Sequence, residues 1–405
     1  MNDKLLIIGH VWPEPKSSAA GRRMMQLIEF FKVSQYEVCF ATPCAKKEHS
    51  YPLEKINIAV QSIEVNNSFF NDFVKKFNPD LVIFDRFMME EQFGWRVQEY
   101  CPKAITLLNT EDLHSLRRKR KSVVAGKPSS KNEELELREL ASIYRCDLSL
   151  IISKFEVNYL KEKGIQDDLL FYLPFMEEAP NQKSIPKYEE RNHMVTIGSF
   201  IHDPNVDGIR YLKENIWPLV RKKLPNVEMH IYGSYPTSKI EQLTNLNDGF
   251  IIKGWVNDVS TVMSKARVCL SPLRFGAGLK GKFIDAMRMG TPSVTTQVGS
   301  EGMPQGKGWP GFISDSPNEM ANKAVLLYNE KKIWREKQSI GMRVLSTEFS
   351  KDEYHQKFKE KLFVLKANLA EYRSKNTIGN ILKLNNLRST KFMSKWIEEK
   401  NKRSS

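Results

Sequence analysis

The stretch Ala266–Met289 reads ARVCLSPLRFGAGLKGKFIDAMRM, and the fold is read outward from it. Ala266 to Leu270 is a short apolar run of the kind that forms a buried strand, and Leu279 to Met289 carries helical spacing. A strand, a glycine-containing loop and a helix in that order make one βα unit. In open parallel sheets, ligands sit beyond the carboxyl ends of the strands, where helix N–H groups point at anions. Gly276 and Gly278 allow a phosphate to approach the backbone. Lys280 and Lys282 add positive charge, and Asp285, about a turn and a half into the helix, can reach a ribose hydroxyl. A plain strand–helix loop with exposed lysines would carry the same glycines, because short glycine motifs recur by chance.

Similar units stand on both sides. Upstream in the second half, Met194–Ile197 is a strand ending at Gly198-Ser199, and Val206–Leu224 reads as a helix opened by Asp203-Pro204-Asn205. Val227–Tyr232 ends at Gly233, and Phe250–Lys253 precedes Gly254. Downstream come a short strand at Ser293–Thr295 and helices at Asn318–Tyr328 and Glu353–Leu369. The first half repeats the alternation, with strands at Lys4–Gly9, Tyr36–Ala41, Leu81–Asp85, Ala104–Leu108 and Leu148–Ser153 and helices at Ala20–Phe31, Glu90–Tyr100 and Glu133–Tyr144. Such alternation predicts an α/β class with two doubly wound, mostly parallel sheets. Between the halves, EEAPNQKSIPKYEER at 177–191 is polar, contains two prolines and shows no periodicity, as a linker does.

These readings divide the 405 residues into an N-terminal Rossmann-like domain (1–176), a linker (177–192), a C-terminal domain (193–348), a crossover helix returning to the first domain (349–372) and a basic amphipathic tail (373–405). The longest apolar runs are far shorter than the roughly 18 residues a membrane span needs. The run Leu5–Ile8 gives way to Pro13 and Pro15, which suits a first strand better than a signal peptide. The five cysteines are scattered without C-x-x-C spacing, which argues against a disulfide framework and a zinc site and points to the cytoplasm.

The net charge is +14, and residues 373–405 hold nine Lys/Arg against two Glu, half of the excess. A second run spans Arg117–Lys121. Phosphorylated substrates, a membrane surface or nucleic acid would all suit such charge, as would ordinary solvated surface. No recognised nucleic-acid module or interleaved aromatic platform accompanies it, so no nucleic-acid partner is expected. The tail mixes Ile381, Leu384, Leu387, Phe392, Met393, Trp396 and Ile397 with basic residues. Two readings stand: peripheral contact with the inner membrane face, or packing back across the N-terminal domain.

The run Gly276-Ala-Gly-Leu-Lys-Gly-Lys-Phe-Ile-Asp-Ala-Met-Arg-Met-Gly-Thr-Pro-Ser-Val, followed by Gly299-Ser-Glu-Gly302, resembles the donor-site signature of glycosyltransferase family 4. Val195-Thr-Ile-Gly-Ser-Phe with Asp203-Pro-Asn-Val, Ile231-Tyr-Gly233 and Gly254-Trp-Val-Asn-Asp258 agree in order and spacing. The resemblance is strongest over 194–345 and implies a retaining, hexosyltransferase-type enzyme of the GT-B fold, two Rossmann-like domains facing across a cleft. It implies a nucleotide diphosphate sugar as donor substrate, a glycan or lipid-linked acceptor, no metal cofactor and a part in polysaccharide biosynthesis. Gly198, Ser199, Asn205, Gly233, Trp255, Val256, Gly276, Gly278, Leu279, Lys280, Lys282 and Asp285 are then the donor site. The family usually has two glutamates eight positions apart. Here the first is Ala277 and the second Asp285, so Glu301 is added as a donor-side candidate. His202 is a weaker candidate for the diphosphate.

On the acceptor side, Pro13–Arg22 resembles the family's loop after the first strand, which offers Ser18, Gly21 and Arg22, and Asp85-Arg86 ends another strand. In Thr110-Glu-Asp-Leu-His114, His114 stands near where the family often points a histidine at the reacting sugar, and a purely structural loop histidine is the competing reading. His114, Lys280 and Asp285 are the expected catalytic residues. A sugar-nucleotide epimerase and a non-catalytic GT-B scaffold remain alternatives.

Overall fold

The computed structural model describes residues 3–127, 131–181, 185–304 and 308–404. Parts of the expected segments at 1–2, 128–130, 182–184, 305–307 and 405 lie outside the described residues.

The first sheet has seven strands: β1 (Lys4–Ile8), β2 (Glu37–Thr42), β3 (Ala59–Ser62), β4 (Leu81–Asp85), β5 (Ile105–Asn109), β6 (Leu148–Ile151) and β7 (Leu170–Tyr172). All pairs are parallel, in the order β3-β2-β1-β4-β5-β6-β7. Leu5 to Ile8 are all fully buried, Leu5 and Ile7 in the core on one face and Leu6 and Ile8 in the core on the other. A strand covered on both faces must be apolar at every position, so β1 and β4 read as continuous hydrophobic runs. The second sheet has six parallel strands: β8 (Asn192–Ile197), β9 (Met229–Tyr232), β10 (Phe250–Gly254), β11 (Ala266–Ser271), β12 (Ser293–Thr295) and β13 (Gly311–Ile313), ordered β10-β9-β8-β11-β12-β13. In each sheet the order reverses at the first strand, between β1 and β4 and between β8 and β11, which opens a crevice at the carboxyl ends.

Two of the departures from the expected helices have a local cause. The helix after the glycine turn begins at Gly281 rather than Leu279, because Gly276 (φ 158°) and Gly278 (φ 62°) are not helical. The span expected as one helix at Val206–Leu224 starts at Asp203, widens into a π turn at Leu212–Ile216 and resumes at Trp217. Pro218 lacks an N–H and its ring collides with the carbonyl four residues earlier, which forces the wider turn.

The chain crosses back beside the linker: the Glu177 N–H donates to the Phe349 carbonyl (2.7 Å) and the Lys351 N–H to the Glu177 carbonyl (2.9 Å). Helix Lys351–Ala367 then buries Tyr354, Phe358, Leu362 and Leu365 in the first domain's core, with Phe358 against Phe30 at 4.7 Å between rings. The tail forms helices Thr377–Arg388 and Thr390–Ser404, which pack back on the first domain. Arg373 holds the buried Asp147 through two nitrogens (2.8 and 2.7 Å), and the buried Arg96 donates to Ser394 (3.0 Å) and pairs with Glu398. The outer face of these helices leaves Ile378, Ile381, Leu384, Phe392, Met393 and Trp396 exposed.

Candidate active site

A cavity of about 620 Å³ lies between the carboxyl ends of the two sheets and is lined from both domains. Its second-domain wall is the turn from Gly276 to Lys282. The Gly278 N–H donates to Oε1 of Glu156 (2.9 Å), a first-domain residue, and a Cβ at position 278 would lie 2.9 Å from that of Asp112. Only glycine combines this positive φ with so close an approach. Lys280 Nζ donates to the Gly278 carbonyl (2.8 Å), and Lys282 Nζ donates to Asn205 Oδ1 (2.9 Å) and Ser271 Oγ (3.2 Å). Among the described residues neither lysine makes an ion pair. Burial lowers both ammonium groups to about 8, for Lys280 against the pull of Glu301 and Glu156.

Gly198, Ser199 and Gly233 line the cavity at the ends of β8 and β9, and the Asn205 amide donates to the Ser199 carbonyl (2.9 Å). Trp255 and Val256 line it beyond β10, and the Trp255 ring stacks on first-domain His49 at 4.4 Å and 9°.

The first-domain wall comes from the segments after β1, β4 and β5. Ser18 caps helix Ala19–Val33 and lines the cavity with Arg22. Arg22 pairs with Asp285, which also accepts from Arg288 (2.7 Å), so the carboxylate expected to meet a ribose is held by two guanidinium groups here. Glu111 and Asp112 follow β5. Burial drives the Glu111 carboxyl up to about 7, and its Oε1 accepts from the Asn109 amide (2.8 Å). Burial would also raise Asp112, but Arg117 and His114 outweigh it and bring it down to about 2. His114 Nε2 lies 3.6 Å from Asp112 Oδ1, and burial lowers the imidazole to about 4, so it is neutral at pH 7.

Three expected residues do not line the cavity. Gly21 is buried within its helix, where a Cβ would strike the Glu14 backbone at 2.4 Å, so its role is packing. Asp85 is buried and accepts from the His10 N–H (3.2 Å) and the Asn109 amide (3.3 Å). Glu301 is gripped by both terminal nitrogens of Arg120 at 2.7 Å, and Arg120 also donates to the Gly276 carbonyl (2.8 Å). The basic run is thus divided: Arg117 and Arg120 face inward, Lys121 pairs with Asp203, and Arg118 and Lys119 are exposed. Sequence reasoning named Arg86 only beside Asp85 at a strand end, and passed over Glu111, Asp112, Arg117 and Glu156 as site residues. The position of Arg86, Glu111 and Asp112 at strand ends was the available signal. Glu156 gave none, since 122 residues separate it from Gly278.

Residues 191–330 match the family described as glycosyl transferases group 1. The matched segment contains β8 to β13 and the second-domain wall of the cavity. Solved GT-B structures share the fold across both domains. Anabaena HepE in complex with UDP and glucose superposes with a TM-score of 0.70 at 14% identity, covering 90% of this chain and 100% of that one. Staphylococcus aureus TarM, solved with UDP and α-GlcNAc-glycerol, gives 0.68 at 10% identity over 89% and 99%. Sucrose-phosphate synthase from Thermosynechococcus elongatus gives 0.67 at 16% identity over 90% and 100%. An uncharacterized 44.6 kDa protein in the cps region of Klebsiella pneumoniae is 26% identical over 164 residues, 38% of this chain. The match spans about two fifths of that relative's length. The family match supports a glycosyltransferase, and the likeness to solved structures, at 10–16% identity, shows the GT-B fold.

Proposed function

We propose that this protein transfers a hexose from a nucleotide diphosphate sugar to a glycan or lipid-linked acceptor, with retention, in surface polysaccharide synthesis. The carrying observation is the pair of lysines at the cavity turn. Holding an ammonium away from water is unfavourable unless an anion compensates it, and among the described residues no carboxylate pairs with Lys280 or Lys282. A bound diphosphate would supply that anion.

As the bond from the sugar's anomeric carbon to the diphosphate breaks, negative charge grows on the leaving oxygen, where both lysines and the turn's backbone stabilise it. The proposal assigns this neutralisation to lysines and needs no metal. Trp255 and Val256 lie against the base, and neutral His114 faces the reacting sugar. Contacts across the cleft, Arg22 to Asp285 and Arg120 to Glu301, fit a closed arrangement that excludes water. The UDP and sugars bound by HepE and TarM support a UDP-sugar donor, the cps-region relative supports a polysaccharide role, and retention follows the resemblance to glycosyltransferase family 4. Five unpaired cysteines suit the cytoplasm, and the exposed apolar and basic tail suits peripheral contact with the inner membrane face.

The test is a thermal-shift titration with nucleoside diphosphates, followed by UDP release from UDP-sugars with and without cell-envelope acceptor extracts. Stabilisation by UDP and acceptor-dependent release are expected. No nucleotide binding would refute the assignment, and acceptor-independent epimerisation would replace it.

A further inference from the structure

With the donor diphosphate held by the second domain, the cavity cation Arg86 is left without work. Arg86 follows β4 and lines the cavity. Its backbone sits at φ 73°, ψ 156°, a region sterically costly for any residue with a Cβ. Backbone hydrogen bonds hold it there: its N–H donates to the Asn109 carbonyl (2.8 Å) and its carbonyl accepts from Met89 (3.1 Å). Among the described residues the guanidinium makes no hydrogen bond or ion pair, and its Nε is buried without a partner. Its charge pulls down the carboxyls of Glu111 and Asp112, but their hydrogen bonds go elsewhere, Glu111 to Asn109 and Asp112 to Arg117, while Asp85 accepts from His10 and Asn109. Burial, then the nearby charges of Arg117 and Arg86, keep the facing His202 below its ordinary value, so this wall resists further positive charge.

A strained backbone that holds, at a cavity wall, a cation without a hydrogen bond or ion pair among the described residues fits a ligand clamp. We propose that Arg86 binds an anionic group on the acceptor, a phosphate or a carboxylate, so that the acceptor is a phosphorylated or uronic-type molecule rather than a neutral sugar. The inference rests on the donor assignment above, which reserves Lys280 and Lys282 for the nucleotide. A planar guanidinium suits either oxyanion, since both accept two parallel hydrogen bonds.

The experiment uses the full chain, titrated first with UDP and then, at saturating UDP, with glycerol phosphate against glycerol and with glucuronate against glucose. Wild type should bind at least one anion better than its neutral counterpart, and the two arms separate phosphate from carboxylate. Arg86→Gln should lose about tenfold or more of that affinity, the scale of one charge-assisted hydrogen bond, with UDP affinity unchanged. Arg86→Gly should lose the anion equally while raising the melting temperature of the ligand-free protein, an outcome a merely structural arginine would not give. Anion binding that is absent in wild type or kept in Arg86→Gln overturns the proposal, as does an equal loss of UDP affinity, which would assign Arg86 to the donor. Failure of the donor reading would show in the first titration, and the anion arms would then be run without UDP and still decide Arg86.

Discussion

Replacing Lys280 by methionine should make the empty protein more stable and the nucleotide complex weaker. Lys280 is 8% exposed, among the described residues its ammonium bonds only to the Gly278 carbonyl, and burial brings its pKa from 10.5 to about 8. At about 1.36 kcal/mol per pH unit, the native state disfavours the charge by roughly 3 kcal/mol relative to the unfolded chain. Methionine keeps most of the volume and removes that penalty, so a gain of about 1–3 kcal/mol is expected, a few degrees in melting temperature. The sign gives a second check. Above about pH 8 the native lysine has lost its proton while the unfolded one, at 10.5, has not. The unfolded chain therefore binds more protons between those values, and this group makes stability rise with pH across that window; below it the penalty is fully present. Thermal denaturation from pH 7 to 10.5 should show a shallower rise in the variant than in wild type. Calorimetric titration with UDP should show a loss of about 10- to 150-fold, corresponding to one charge-assisted hydrogen bond of roughly 1.5–3 kcal/mol. A variant that binds UDP as tightly as wild type, or is less stable when empty, would refute the reasoning.

Three further outcomes are expected. Burial, with Asp112 adding to it, raises the Glu156 carboxyl to about 8, above its unfolded 4.5, so the native state holds the extra proton and this group's contribution falls as pH rises from about 4.5 to 8; Glu156→Gln should flatten that decline in a melting-temperature series, and an unchanged slope would count against it. Trp255→Ala should weaken UDP and uridine by about 1–3 kcal/mol, the scale of a base stack, and leave pyrophosphate untouched in competition titrations; equal losses for all three would move the base elsewhere. Replacing exposed Phe392 and Trp396 by aspartate should abolish co-sedimentation with anionic vesicles without changing UDP affinity, and retained sedimentation would remove the tail from the membrane contact.

Sequence reasoning succeeded where a local pattern is the physical cause. Leu81–Phe84 is apolar throughout because β4 is covered on both faces, and Gly276–Lys282 is a turn because its glycines take backbone angles other residues avoid. It failed where the cause is distant or small. Edge strand β3 (AVQS) is half exposed and carries no hydrophobic signature, and β13 is three residues long. Asp285 looked like a free ribose ligand because Arg22 stands 263 residues away, and the bond between them exists only once both domains have folded and met. Arg86 left no trace of its backbone angle in the sequence, since nothing local demands it.

The groups that would receive the donor are met, in the ligand-free chain, by the protein itself. Gly278 N–H takes Glu156, Lys280 takes the Gly278 carbonyl, Asp285 takes Arg22 and Glu301 takes Arg120. Three of these four contacts join opposite domains, so a nucleotide sugar cannot claim the turn without exchanging part of what holds the cleft together. Glu156 makes that exchange favourable: near pH 7 its carboxyl lies below a pKa of about 8 and is largely protonated, and a neutral acid is a weaker acceptor than a diphosphate oxygen. Donor binding should therefore tighten relative to the internal contact as pH falls from 8 towards 7, where Glu156 becomes neutral and Lys280 and Lys282, also near 8, become fully charged. UDP affinity in wild type should fall across pH 7 to 9, and Glu156→Gln, which cannot become an anion, should retain the part of that fall that belongs to the lysines. If the two profiles coincide, Glu156 does not compete for the turn; if the variant loses pH dependence altogether, the lysines are not the donor's counter-charge.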